Sequence, residues 1–298
     1  MIDPEELRAL DGAVTAALRT RDVSGLDLLG FGEISIVVGW PRGEPAFACK
    51  RLPPFRHRAA FERYAACVRA YVDALRDAGV GVVETALPSV PQADGRVVGY
   101  HVQPFVAAGA LGTEVLRAAS PDAAHPLVVA IVDAVTTVTT ERLGVDAQLS
   151  NWVWRDGQAE NFDLTTPLML DEHLRPVFEF EPFLRSLPAV ARPITSREMR
   201  SFMNRYLDPR TCLVDLVSNL PKEGLGAWVP AVLGAANARL DRPVTIAEAE
   251  AFHRQDVKLW PLVLRLQRIE AWWQQRVRRR PYDFLLRERS TYETAADV

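Results

Sequence analysis

Cysteine is scarce in this 298-residue chain: Cys49, Cys67 and Cys212 are all it has, without paired or metal-type spacing. So sparse and odd a set suits free thiols in a reducing cytosol and argues against a disulfide framework. Long apolar runs are lacking too. No stretch approaches the roughly 18 apolar residues that a spanning helix needs. The opening residues, MIDPEELRALDGAVTAALRT, are acidic early and hold no apolar centre of the signal-peptide kind. Charge of one sign is missing as well. The formal net charge is -3, so the whole chain carries no basic signal for nucleic acid. Internal repeats and low-complexity segments are absent. What is there is 48% hydrophobic and 24% charged, ordinary globular values, in a chain long enough for one large domain or two lobes. The expectation is a cytoplasmic protein with neither a membrane nor a nucleic-acid partner. The oligomeric state leaves no trace in the sequence.

Periodicity orders the chain. Leu7, Leu10, Val14 and Leu18 predict a helix over 4–20, with Asp3-Pro4 at its start and Glu5 and Glu6 at its positive end. A β-rich stretch follows: a strand at 26–29, the glycine turn Gly30-Phe31-Gly32, a strand at 34–40, a turn at Pro41–Glu44 and a strand at 46–52. Glycines in such a turn let backbone N–H groups approach a phosphate. Lys50 lies on the third strand and shares a face with Ala48. It is either an exposed edge residue or a charge held for a purpose.

A helix is predicted over 55–78, its apolar stripe running from Phe61 through Tyr64, Val68 and Tyr71 to Leu75, and closed by Gly79. Glu62 borders that stripe. It pairs either with Arg58 or Arg69 in solvent, or with Lys50. Strands return over 80–106, with His101 inside one as a structural residue, and a hinge falls near 104–110. Helices are then expected at 113–119, 126–143, 196–206, 211–220, 228–240 and 246–275, with a second hairpin pairing 168–170 with 177–180. Thr245 and Glu248 form a capping-box signature. The basic run Arg276–Arg280 either holds an anionic partner or complements a helix end.

The stretch that carries chemistry is Gly144 to Pro167. Asn151 follows Asp146 by five positions, and Asp163 comes twelve later. Between them Trp152-Val153-Trp154, the turn Asp156-Gly157 and Asn161-Phe162 predict a hairpin. Asn151 and Asp163 then emerge at one end of the ribbon, with Asp146 on the loop leading in. Two carboxylates and an amide gathered there suit a metal and phosphate site.

A glycine turn, a strand-borne lysine, a helix with one early acid, a hinge, then Asp-x4-Asn, a hairpin and Asp stand here in order. That order resembles the protein-kinase-like superfamily in its wide sense, including the aminoglycoside- and choline-type small-molecule kinases, over about residues 26 to 290. The resemblance implies an α+β, bilobal protein-kinase-like fold. Its N-lobe (1–104) would hold an antiparallel sheet and one long helix. Its C-lobe (105–298) would be mainly helical and carry the catalytic hairpin 144–167. It implies ATP and Mg²⁺ as cofactors. Gly30, Phe31 and Gly32 would cover the phosphates, and Lys50 would contact them and pair with Glu62. Gln103 to Val106, Phe105 included, would touch adenine through the backbone. Asp146 would orient or deprotonate the acceptor hydroxyl, and Asn151 and Asp163 would hold Mg²⁺.

The departures have meaning. Ser35 stands where a third glycine would fall, Gly144 where histidine is usual, and Leu164-Thr165 in place of Phe-Gly. The interval from Lys50 to Glu62 is short, and no Ala-Pro-Glu signature follows. These favour a small hydroxylated acceptor over a peptide, with Trp228 or Trp260 as candidates to line its pocket. The alternatives are a pseudokinase that binds nucleotide or a partner without catalysis, and an α+β protein in which the order is coincidental.

Overall fold

The computed structural model describes residues 2–31 and 35–286. It opens with α1 (Pro4–Thr20), whose start is a capping box between Asp3 and Glu6. Next come β1 (Asp27–Phe31), β2 (Ile36–Trp40) and β3 (Phe47–Arg51), then α2 (Arg58–Asp77). Three strands follow: β4 (Gly81–Val82), β5 (Ser89–Pro91) and β6 (Val97–Pro104). Five strands form one antiparallel sheet in the order β1-β2-β3-β6-β5. Leu7, Leu10, Val14 and Leu18 of α1 lie in one core with Ile36, Val38, Cys49, Tyr100 and Val102 of that sheet. The alternation of β3 decides the rest. Cys49 and Arg51 turn to the α1 side, so Lys50 turns to the other face, between Val37 and His101 in the register.

The remainder is mainly helical: α3 (Gly112–Arg117), α4 (Pro126–Val138), then β7 (Trp152–Arg155) and β8 (Gln158–Asn161). After these come α5 (Glu181–Leu184), α6 (Arg192–Arg205), α7 (Pro209–Asn219), α8 (Val229–Asn237) and α9 (Ile246–Trp272), which passes into a π-helical turn over Trp273–Val277. Buried residues of α2, α4, α7 and α8, with Trp152, make the second and larger core. The chain is thus α+β. Its last described stretch returns to the first sheet: Arg51 donates to the carbonyl of Asp283 (3.1 Å), Arg96 pairs with the Asp283 carboxylate, and Leu285 packs against the α1 core.

Three expectations need correction. β4 does not join the first sheet but pairs in parallel with β8 of the hairpin, in the order β4-β8-β7. The predicted hairpin of 168–170 with 177–180 is reduced to one backbone hydrogen bond within it, from the Val177 N–H to the Met169 carbonyl (3.2 Å), and no strand forms there. Leu170 makes a single bridge, to Pro176, whose missing N–H cannot continue a ladder. Phe178 and Phe183 instead pack their rings on Tyr64. Finally α4 stops at Val138 rather than 143. The Thr140 hydroxyl accepts from the amides of Arg142 and Leu143, and such local bonds compete with the helix.

Candidate phosphate and metal site

The β7–β8 hairpin turns at Asp156 and Gly157, both at left-handed φ (50° and 74°), the conformation a two-residue hairpin loop requires. Its inner end fixes the loop before it. The Trp152 indole, fully buried, donates to the Asp146 carbonyl (3.0 Å), and the Asn161 amide reaches the same oxygen (3.4 Å). The Asp146 carboxylate accepts from the Gln148 N–H (3.0 Å), and the Asn151 side chain lies close enough to pull its pKa down slightly. Asn151 therefore faces Asp146, and its carbonyl takes the N–H of Phe162, one residue before Asp163 (3.0 Å). Gly144 is demanded by crowding. A Cβ there would stand 1.9 Å from the Tyr206 carbonyl oxygen, so no side chain, histidine included, fits without moving backbone.

Lys50 closes the constellation. Its Nζ donates to both oxygens of Asp163 and to the Thr165 hydroxyl, each at 2.8 Å, across 113 and 115 residues of chain. The Thr165 hydroxyl and N–H in turn donate to Asp163 Oδ1 (2.8 and 3.1 Å). Lys50, Lys222 and Lys258 are the chain's lysines against many arginines, and a lysine offers a compact charge with three donors. α2 contributes Tyr64, whose hydroxyl donates to the Thr165 carbonyl (2.8 Å). With that proton spent, the His101 Nε2, 3.0 Å away, is the donor to the Tyr64 oxygen.

The surroundings drive the two carboxyls apart. Burial raises the Asp163 carboxyl, but the Lys50 ammonium and the two Thr165 donors outweigh it and hold it down at about 2. Among the described residues no cation forms a salt bridge with Asp146. Burial first, and then the charge of Asp163, push it up to about 7, against the pull of the Gln148 N–H, Lys222 and Asn151. His101 is pushed down to about 3 by burial and by Lys50, so its ring is neutral. One carboxylate is thus fixed as an anion while its neighbour is poised to take a proton, a division useful in acid–base work.

Several expected residues fall together and others do not. Lys50, Asp146, Asn151 and Asp163 converge. Gly30 is within β1, opposite Val37, and a Cβ there would meet open space. The Phe31 backbone pairs with Ile36, and Gly32 lies outside the described residues. The expected Lys50–Glu62 ion pair is absent. Glu62 is exposed on α2 and pairs with Arg58 (3.5 Å), because it follows Phe61 on the helix and so turns away from the buried Phe61–Tyr64 face. The Gln103 side chain bridges the Phe162 carbonyl and the Thr85 hydroxyl (2.8 and 2.9 Å), tying β6 to the strand before Asp163. The Phe105 N–H is already bound to the Ala46 carbonyl (2.9 Å), so that donor is not offered to an adenine. Trp228 is a core residue whose indole binds the Leu116 carbonyl (3.1 Å).

Residues the sequence did not single out complete the site. Thr165 is one, and its position two after Asp163, a common side-chain turn, was the available signal. Tyr64 had only its place in an apolar stripe. Behind Asp146, Gln148 binds Asp215, which binds Asn219, which takes a hydrogen bond from Lys222. Nothing local in the sequence announces that relay.

Among the described residues no three His, Cys, Asp or Glu side chains cluster as a ready-made metal cage. The donors here are oxygen only: Asp163, the Asn151 amide and Asp146, whose half-buried carboxyl has no salt bridge among the described residues. That set fits a hard ion such as Mg²⁺, which takes one or two carboxylates and completes its shell with phosphate and water.

No curated protein matches this sequence. The model of a family of unknown function, DUF6206, matches residues 9–271, most of the chain. The architecture and the Lys50–Asp163 constellation described above fall within that span, and the chain belongs to this family.

Proposed function

We propose that this protein is an ATP- and Mg²⁺-dependent phosphotransferase of the cytoplasm, acting on a small hydroxylated molecule. Its architecture would be bilobal and protein-kinase-like, residues 1–104 forming one lobe and 105–298 the other. The observation that carries the reading is the seating of Lys50 Nζ on both oxygens of Asp163. A lysine on the third strand and an aspartate after the hairpin meet here beside a second carboxyl, Asp146, with the pair left partly open, and that combination supports an anion-handling site. Phosphoryl transfer asks a protein mainly for positioning and charge neutralisation. Lys50 would bind the phosphates, and Asn151 and Asp163 would hold the ion. Mg²⁺, when bound, supplies further neutralisation of phosphate charge. Asp146 would receive the acceptor hydroxyl's proton, a role its raised carboxyl suits.

Mg·ATP at saturation should raise the unfolding midpoint of the purified protein, and the Asp163→Ala variant should lose most of that rise. Equally tight binding by Asp163→Ala would remove the metal role. A specific observation also favours the second reading, a pseudokinase that binds nucleotide or a partner without turnover. Lys50 is sealed against Asp163 while Glu62, expected to draw it aside, points to solvent. Nucleotide binding with no phosphate transfer across a panel of alcohols would decide for it.

A further inference from the structure

Among the described residues eleven large hydrophobic side chains are exposed, and five of them are on one stretch at the end of α9: Leu262, Ile269, Trp272, Trp273 and Val277, each 45–57% exposed. Their spacing is regular. At 100° per residue Leu262, Ile269 and Trp273 point within about 40° of one another, with Trp272 to one side and Val277 following in the π-helical turn. Arg265 and Arg276 fall in the same stripe and Arg268 at its edge, followed by Arg278, Arg279 and Arg280, all six exposed. The stretch has one acid, Glu270. It is turned inward, 3.5 Å from Arg192 and accepting from Gln274.

The opposite side of the helix is anchored. Leu264, Gln267 and Ala271 are buried, Gln267 donates to the Ser186 hydroxyl (3.3 Å), and Ala271 packs with Tyr282 and Phe284. A helix so embedded cannot drop into a groove that wraps it. It can offer only its outer face, a strip about 20 Å long at 1.5 Å rise per residue. Aliphatic side chains between the arginines have nothing to stack on in a nucleic acid. In a chain of net charge -3 this strip is a local positive field with apolar and tryptophan side chains projecting from it.

We infer that the outer face of α9 from Leu262 to Val277, with the arginines that follow, is a docking face for the surface of an anionic phospholipid bilayer. Tryptophan and apolar side chains would enter the headgroup layer while the arginines pair with lipid phosphates and carboxylates. No described helix is long and apolar enough to cross a membrane. Lying on one is a different demand, and the inference replaces the expectation of no membrane partner. It does not depend on the proposed phosphotransfer.

The test is sedimentation of the full chain with vesicles of phosphatidylcholine alone or mixed with phosphatidylserine, with tryptophan emission read in parallel. The expected result is binding to the mixed vesicles only, weakened by salt, with a blue-shifted emission. The Trp272→Ser/Trp273→Ser variant should lose most of the binding. Replacing Arg276, Arg278, Arg279 and Arg280 by Gln should weaken it about tenfold or more. Both variants change exposed positions, and unchanged melting curves would show that they fold. Failure of the folded wild type to bind mixed vesicles, equal binding to neutral ones, or variants binding like wild type would overturn the inference. So would vesicle-independent self-association, or capture of an acidic protein, that the tryptophan variant abolishes while lipid binding is absent throughout.

Discussion

β3 carries two ion pairs on consecutive residues, one on each face of the sheet. Arg51 faces α1 and lies 3.7 Å from Asp11, and both side chains are nearly sealed, at 7% and 8% exposed. Asp11 also receives the Tyr100 hydroxyl (2.7 Å) and the Gln92 amide (3.0 Å), while Arg51 holds the Asp283 carbonyl. Lys50 faces the hairpin and meets Asp163 at 2.8 Å, with the side chains 16% and 32% exposed. The first pair is closed over by α1 and the returning chain end, and no ligand can reach it. The second is shorter yet more open, and its cation is the one with rotatable donors. An ion pair that holds a fold is recognised by burial on both sides. One that can exchange its partner for a ligand keeps an open side.

Breaking the closed pair should have the largest effect. Asp11→Ala leaves the Arg51 charge buried without its carboxylate and should cost about 3–5 kcal/mol in denaturant unfolding. A loss below about 1 kcal/mol would put the two pairs in the same class. Next is ligand response. At a hundredfold excess over Kd, Mg·ATP should stabilise the wild type by about 2.7 kcal/mol. Asp163→Asn should abolish this, whereas Asp11→Ala, studied where it is still folded, should keep it.

Third is pH. His101 is held neutral in the fold, down to about 3, while in the unfolded chain it takes a proton below about 6.5. The unfolded state then binds more protons, so stability falls as pH drops from about 6.5 towards 3, by up to about 1.4 kcal/mol per pH unit. The difference between wild type and His101→Gln, followed by urea unfolding from pH 7 to 5, should narrow along that slope. A constant difference would mean that His101 is charged in the fold. Smallest is Asp146→Asn, which keeps the shape and removes a half-buried charge beside another carboxylate. It should raise stability by about 1 kcal/mol while ending any phosphate transfer. A loss of stability would assign Asp146 to the frame instead of the chemistry.

Local signals made much of this legible. The capping residues Asp3 and Thr245, the Asp156-Gly157 turn and the alternation that turns Lys50 away from the Cys49 face act over a few residues, so the sequence displays them directly. Asp146, Asn151 and Asp163 could be placed together because a hairpin's length fixes which ends meet. The failures share a cause. An apolar stripe shows that one face of α2 is buried but not which member reaches the site, so Tyr64 was hidden and Glu62 given its place. The β4–β8 pairing joins segments about eighty residues apart, and two-residue strands carry almost no pattern. The bareness of Gly144 depends on a carbonyl of Tyr206, sixty-two residues away.

The return of the chain end to the first sheet bears on biosynthesis. Arg51 and the carbonyl it binds are separated by 232 residues. At about 5–20 residues per second, the last strand of the sheet is made roughly 9–36 s before Asp283 exists. For that interval the nascent chain lacks one partner of a guanidinium that ends up buried, and the α1 side of the sheet lacks the cover of Phe284 and Leu285. A ribosome stalled within α9 would therefore carry a sheet already paired strand to strand but not yet roofed, the form in which a chaperone would meet it.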